Sequence, residues 1–262
     1  MRFPPQRIVC LTEETVETLY LLEEDHRIVG VSGYAVRPPR VRREKPRVSA
    51  FISADVPKIL ALDPDLVFTF SDLQADIARD LIKAGIAVHA FNQRDVEGIL
   101  GMIETVGALV GCPDKAKTLS SSLRQRLAGA RAATGERFFR PRVYFEEWDE
   151  PMISGIRWVS ELIEIAGGID VFSERSHAHD ARGRFVTAQD VIAAAPDVII
   201  GSWCGKKFSP GRVIARPGFE AVPAVRTKSL YEIKSPLILQ PGPAALTDGL
   251  DQLRSILAPR EA

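Results

Sequence analysis

The sequence predicts an α/β protein of two lobes, each with a mostly parallel sheet, joined by a long rigid helix. Three observations carry this. Short apolar runs alternate with helical segments of about ten residues, the pattern of parallel strands covered on both faces. Motifs of the first half recur in the second. Between the halves lies one long polar segment with a narrow apolar stripe. The 262 residues, 45% hydrophobic, suffice for two cores of ordinary domain size.

In the first half, strands are expected at 7–11, 28–32, 66–70 and 87–91, and helices at 13–23, 55–62, 73–84 and 95–111. In the second half, strands are expected near 142–146, 197–202 and 229–233, and helices near 157–167, 187–194 and 243–257. Both halves read as Rossmann-like units. The repeat is specific. Arg7-Ile8-Val9-Cys10-Leu11 follows Pro4-Pro5 and ends in acidic residues, as Arg142-Val143-Tyr144-Phe145 follows Pro141 and ends in Glu146-Glu147. Ile59 to Phe68 and Val191 to Ile200 each carry a helix end into Pro-Asp and then a β-branched run, because proline cannot continue the helix. In the segment from Asp114 to Gly135, Leu119, Leu123 and Leu127 recur every fourth residue on a mostly wet helix. The expected organisation is a lobe over 1–112, a connecting helix over 113–136 and a lobe over 137–262.

Composition excludes several classes. With 34 basic and 34 acidic residues, the chain lacks the positive excess of a nucleic-acid binder. Cys10, Cys112 and Cys204 are too few and scattered for a disulfide framework or a Cys-x-x-Cys zinc site. No apolar stretch is long enough to span a membrane. The N-terminal residues lack the pattern of a secretory signal, so the sequence as written predicts a cytoplasmic protein.

Ligands of open parallel sheets bind beyond the carboxyl ends of the strands. Two lobes facing each other would make a cleft there. The candidate binding residues are therefore Glu14, Tyr34, Arg37, Phe51, Phe70, Ser71 and Asn92 in the first half. In the second half they are Glu146, Trp148, Trp203, Cys204, Lys234 and Ser235. Five are aromatic, and aromatic faces suit a large flat ligand.

The order of Arg-Ile-Val-x-Leu, Ile28-Val29-Gly30-Val31-Ser32-Gly33-Tyr34, Arg37-Pro38-Pro39 and the Pro-Asp motif resembles the first lobe of helical-backbone substrate-binding proteins. These are the cobalamin and siderophore receptors of ABC importers. Arg142 to Trp148, Ile163-x-x-Ala166-Gly167-Gly168 and Pro196-Asp197-Val198-Ile199 resemble the second lobe, and the long connector fits the stiff helix of that family. The cobalamin-binding branch is the nearest. The resemblance implies a ligand-binding protein with a cobalamin or corrinoid ligand and no catalytic cofactor. It implies that Tyr34, Phe51, Phe70 and Trp148 line the ligand. A ferric siderophore or haem is the alternative ligand. The family's Pro-Trp-Pro stretch has no match, since that region reads Ser176 to Arg182. The family, usually periplasmic or lipid-anchored, docks on its permease through one glutamate per lobe. Pro57 and Gln189 stand at those positions, so such docking is doubtful.

Three further clusters have other readings. His177, His179 and Asp180 could bind a metal or belong to a polar surface loop. With Glu146 or Glu147 as acid or base they would make a metal-dependent enzyme, an alternative to binding alone. The basic run from Arg37 to Arg47, broken by prolines, reads as a solvated loop or an anion site. Cys204, beside Lys206 and Lys207, reads as a packed or ligand-facing residue before a nucleophile.

Overall fold

A computed structural model describes residues 3–135 and 138–259. The ends of the expected segments at 1–2, 136–137 and 260–262 lie outside the described residues. The chain divides into two compact units. Unit 1 comprises 1–93 and 97–124, and unit 2 comprises 94–96 and 125–262.

Unit 1 holds one five-stranded sheet. Its strands are β1 (Ile8–Cys10), β2 (Ile28–Ser32), β3 (Arg47–Ser49), β4 (Leu66–Phe70) and β5 (Val88–Phe91). The order is β3-β2-β1-β4-β5 and every pair is parallel. The crossover direction therefore reverses between β1 and β4, which makes their carboxyl ends the switch point of the sheet. All five residues of β4 are buried, as expected of a strand with helices on both faces. Val9, Leu11, Ile59, Val67 and Leu81 form one core of the unit. β3 was not expected. Only two of its three residues register on β2, and proline punctuation around it hides the strand signal.

Unit 2 contains β6 (Arg142–Asp149), β7 (Met152–Ser154), β8 (Ile169–Asp170), β9 (Val198–Gly201) and β10 (Leu230–Glu232). The path is β10-β9-β6-β7, with β8 beside the start of β6. β7 alone is antiparallel. β7 and β8 are too short for a visible period. β6 runs to Asp149, beyond the expected end, because β7 folds back onto it. From Glu146 to Trp148 two steps on β6 face one step on β7, from Ser154 to Ile153, which is a β-bulge. Tyr144, Val191, Ile199, Trp203, Phe208 and Phe219 form the core here.

The sequence repeat has a structural cause. In unit 1, the Asp65 carboxylate accepts the backbone N–H groups of Gln6 and Arg7 at 2.8 and 2.9 Å, and the Arg7 guanidinium donates to the Leu62 carbonyl. In unit 2, Asp197 accepts the N–H of Arg142 at 2.9 Å, and Arg142 donates to the Ala194 carbonyl. The residue before each Pro-Asp is left-handed, Asp63 at φ 46° and Ala195 at φ 44°. One device thus starts the central strand of each unit and satisfies the last carbonyls of the preceding helix.

The expected connector is a helix over Pro113–Thr134. Its residues divide between the units after Arg124. The expected helix at 243–257 is helical over 243–256, with a π-helical turn at Ala245–Gly249 ahead of the α-helix Leu250–Ile256. It packs closely at Gly249, where an added Cβ would meet the Leu237 carbonyl oxygen at 2.4 Å.

Candidate functional site

In unit 1 the carboxyl ends of β2, β3 and β4 lead into Tyr34, Phe51 and Phe70. Tyr34 is 52% exposed, Phe51 is half-buried, and Phe70 is buried with 6% exposure. Phe70 is therefore mainly a core residue at the edge of the candidate surface. Two further apolar residues are exposed on the same loops, Ile52 at 71%, which follows Phe51 at the expected strand end, and Leu73 at 57%, which sequence reasoning missed. Large apolar side chains exposed beside strand ends mark a contact surface. Ser71, at φ 59°, accepts the Leu73 N–H and caps the turn Asp72–Gln74. Asn92 is exposed after β5.

Gln74 organises these ends and carried no sequence signal. Its side chain is fully buried. It accepts the Phe70 N–H at 3.0 Å and donates to the carbonyls of Leu11 and Phe51 at 3.2 and 2.7 Å. One amide thus fastens β1, β4 and the loop after β3. A side-chain amide suits this role because it carries two N–H donors and a carbonyl acceptor on one planar group.

Glu14, 1% exposed in the first turn of the helix Glu13–Leu21 that follows β1, accepts the Thr12 hydroxyl at 2.6 Å. Burial, with the neighbouring Glu13, pushes its carboxyl up to about 8. Burial also raises Glu13 to about 7, and one oxygen of Glu13 has no hydrogen-bond partner. Arg37 donates to Glu17 at 2.8 Å. The basic run it begins is more ordered than the expected loop. It contains a short helix, Val41–Glu44, and Lys45 is bound to the carbonyls of Asp25 and Ile28.

In unit 2, Glu146 is not a ligand-facing group. It is fully buried and accepts Arg216 twice, at 2.5 and 3.0 Å, the Trp203 indole N–H at 2.9 Å and the Tyr144 hydroxyl at 2.9 Å. Burial and the Glu146 charge hold the Tyr144 phenol well above its usual range. Trp203 is 3% exposed and packs edge-on against Phe208 at 5.0 Å. Both Glu146 and Trp203 are thus core groups in this structure, since indole and carboxylate satisfy each other. Glu147 accepts Arg184, itself 4% exposed, at 2.5 and 3.2 Å. Neither carboxylate is left open as an acid or base.

Trp148 is half-buried beyond the bulge, with its indole N–H on the Glu150 carbonyl at 2.9 Å. The Lys206 ammonium lies 4.0 Å from the centre of its ring, within cation–π range. Lys206 was not among the expected site residues. It is joined to Asp149, as is Arg212 at 3.0 Å. Burial alone would raise the Asp149 carboxyl, but the bond and charge of Lys206, together with Arg212, outweigh it and hold the carboxyl low. Cys204 is exposed. Lys234 is exposed after β10, and Ser235 is half-buried at the start of a short helix.

His177 and His179 are exposed beside Asp180. Among the described residues, no three His, Cys, Asp or Glu groups come close enough together to hold a metal ion. The expected metal cluster is therefore not formed: its residues lie on short surface turns with their side chains outward. Pro57 and Gln189 are exposed in the first turns of their helices. Among the described residues, no helix is long and apolar enough to cross a membrane.

A model of the family described as periplasmic binding protein matches residues 8–237. A vitamin B12-binding protein of Vibrio cholerae is 26% identical over 206 residues, covering 76% of this chain and 71% of the relative. A solved haem-binding periplasmic protein of Roseiflexus sp. RS-1 superposes with a TM-score of 0.82 at 22% identity, covering 96% of this chain and 99% of that one. A possible iron-binding solute receptor of Staphylococcus epidermidis superposes with a TM-score of 0.82 at 19% identity, covering 98% of this chain and 100% of that one.

Proposed function

We propose, from the premise that the chain belongs to the periplasmic binding protein family, that it captures a corrinoid such as cobalamin and releases it unchanged. The observation that carries this is the 206-residue similarity to a vitamin B12-binding protein. The surface of unit 1 supports it, because Tyr34, Phe51, Ile52 and Leu73 offer a corrin-sized ring an apolar bed at the switch-point end of the sheet. The pairing of Glu146 with Arg216 and of Glu147 with Arg184 favours binding over catalysis.

Calorimetric titration of the purified protein with cyanocobalamin tests the reading. Saturable 1:1 binding, weakened by Tyr34→Ala, is the expected result. Absence of binding to cobalamin and to other corrinoids overturns it. A haem or ferric chelate is the second reading, favoured by the likeness to haem-binding and iron-binding structures. The absorption spectrum of protein purified from its native cell separates the two, because corrin, haem and ferric-chelate bands differ. Delivery to a permease would not use a glutamate pair, since Pro57 and Gln189 stand at those positions. Co-purification with a permease that is lost on substituting either residue would contradict that.

A further inference from the structure

Asp149 ends β6 with 2% of its side chain exposed. Two cations converge on it. Lys206 bonds one carboxylate oxygen, and Arg212 lies 3.0 Å from the other in an ion pair without an aligned hydrogen bond. One carboxylate neutralises one of them, so the trio carries a surplus positive charge. Of the neighbouring acids, Glu146 is held by Arg216, Glu147 by Arg184 and Glu232 accepts the Phe208 N–H, and among the described residues Asp149 is the one carboxylate that pairs with Lys206 or Arg212. The surplus is also accessible. A third of the Lys206 side chain and 56% of that of Arg212 are exposed. Both cations lie against aromatic rings, Lys206 at 4.0 Å from Trp148 and 5.2 Å from Trp203, and Arg212 at 5.6 Å from Trp203. This cluster follows the carboxyl ends of β6 and β9, where a sheet of this type receives its ligand. An ammonium has three N–H donors and a guanidinium five, so both retain donors beyond those Asp149 takes.

We infer that Lys206 and Arg212 form a binding site for an anionic substituent of a flat ligand, with Trp148 at the edge of the ring system. The inference rests on the ligand reading given above and adds a charge requirement to it. The phosphodiester of a cobalamin and the propionates of a haem share the chemistry. Asp149 acts by holding both cations in place.

Two ligand pairs test this: cyanocobalamin against dicyanocobinamide, which lacks the nucleotide loop with its phosphate, and haemin against its dimethyl ester. Affinities are measured for the wild-type chain and for Lys206→Met, Lys206→Arg and Arg212→Met, with folding checked by circular dichroism. In the pair that binds, Lys206→Met should weaken the charged member about tenfold, the worth of one charge-assisted hydrogen bond. It should change the uncharged member less than about twofold, and Lys206→Arg should retain the preference. Arg212→Met provides the same reading if Lys206→Met does not fold. A preference within the corrinoid pair that Lys206→Met removes and Lys206→Arg keeps assigns the phosphate, and the same pattern within the haem pair assigns the carboxylate. Equal binding of charged and uncharged members by the wild type, or equal weakening of both by the variants, overturns the inference and leaves the ligand reading intact. Failure of all four ligands to bind overturns both.

Discussion

Arg216 grips the buried carboxylate of Glu146 with two guanidinium nitrogens, at 2.5 and 3.0 Å. Removing one partner strands a charge that the core cannot solvate. Arg216→Met should therefore cost about 3–5 kcal/mol. The variant Glu146→Leu/Arg216→Met with Trp203→Phe and Tyr144→Phe, which removes the two other buried donors as well, should recover part of that loss, because apolar replacement of all partners is often neutral. Denaturant midpoints of Arg216→Met and of this combination give the comparison. A combination less stable than Arg216→Met alone would contradict the buried-pair account.

The carboxyls of Glu13 and Glu14 titrate at about 7 and about 8 in the folded chain, against 4.5 when solvated, chiefly through burial. The folded state thus keeps protons that the unfolded chain has released. The stability these groups contribute is full below about pH 4.5, falls as the pH rises, and is lost above about pH 8. Replacing both with glutamine should flatten the decline in urea midpoint between pH 5 and 8. An unchanged slope would show that neither group holds its proton in the folded state.

Gln74→Leu removes a side chain that holds three backbone groups at the ends of β1 and β4 and in the loop after β3. Each buried group left without a partner costs about 1–3 kcal/mol. The variant should lose stability, and its ligand affinity should fall because Phe51 and Phe70 are no longer tied to one point. Thermal denaturation and calorimetry on the same preparation measure the two effects. Full affinity in a folded Gln74→Leu protein would remove the positioning role.

Gly201 ends β9 where an added Cβ would lie 1.9 Å from the Phe208 ring. Gly201→Ala should displace that ring and cost about 1–3 kcal/mol. Trp203 packs edge-on against Phe208, so its near-ultraviolet circular dichroism should change with it. A variant with wild-type stability and an unaltered tryptophan signal would be inconsistent with this packing.

The architecture was legible wherever a segment was both apolar and long. β2, β4 and the helix Pro113–Thr134 lie where the periodicity put them, and the two Pro-Asp motifs prove to be one hydrogen-bonded device used twice. The short strands β3, β7 and β8 were not legible, since Arg47–Ser49, Met152–Ser154 and Ile169–Asp170 hold only one or two apolar residues each, whereas the equally short β1 lies inside the apolar run from Ile8 to Leu11. The site was legible only as far as position along the strands allows. Tyr34 and Trp148 reach the surface, whereas Glu146 and Trp203 satisfy each other in the core. That exchange depends on a pairing 57 residues apart in sequence, which local pattern does not contain. Gln74 and Lys206 were missed for the same reason. An amide or an ammonium shows its role only through the groups that fold against it.

The bulge between Glu146 and Trp148 offsets the two sides of the β6–β7 hairpin by one residue. Side chains on a strand alternate between faces, so deleting one residue there would exchange inward and outward positions along the remainder of β6. Glu146 would lose its four donors, or Trp148 and Asp149 would turn away from Lys206. The spacing of this segment is therefore constrained more tightly than its chemistry. Among descendants of this chain, exchanges of residue type should persist here more readily than insertions or deletions.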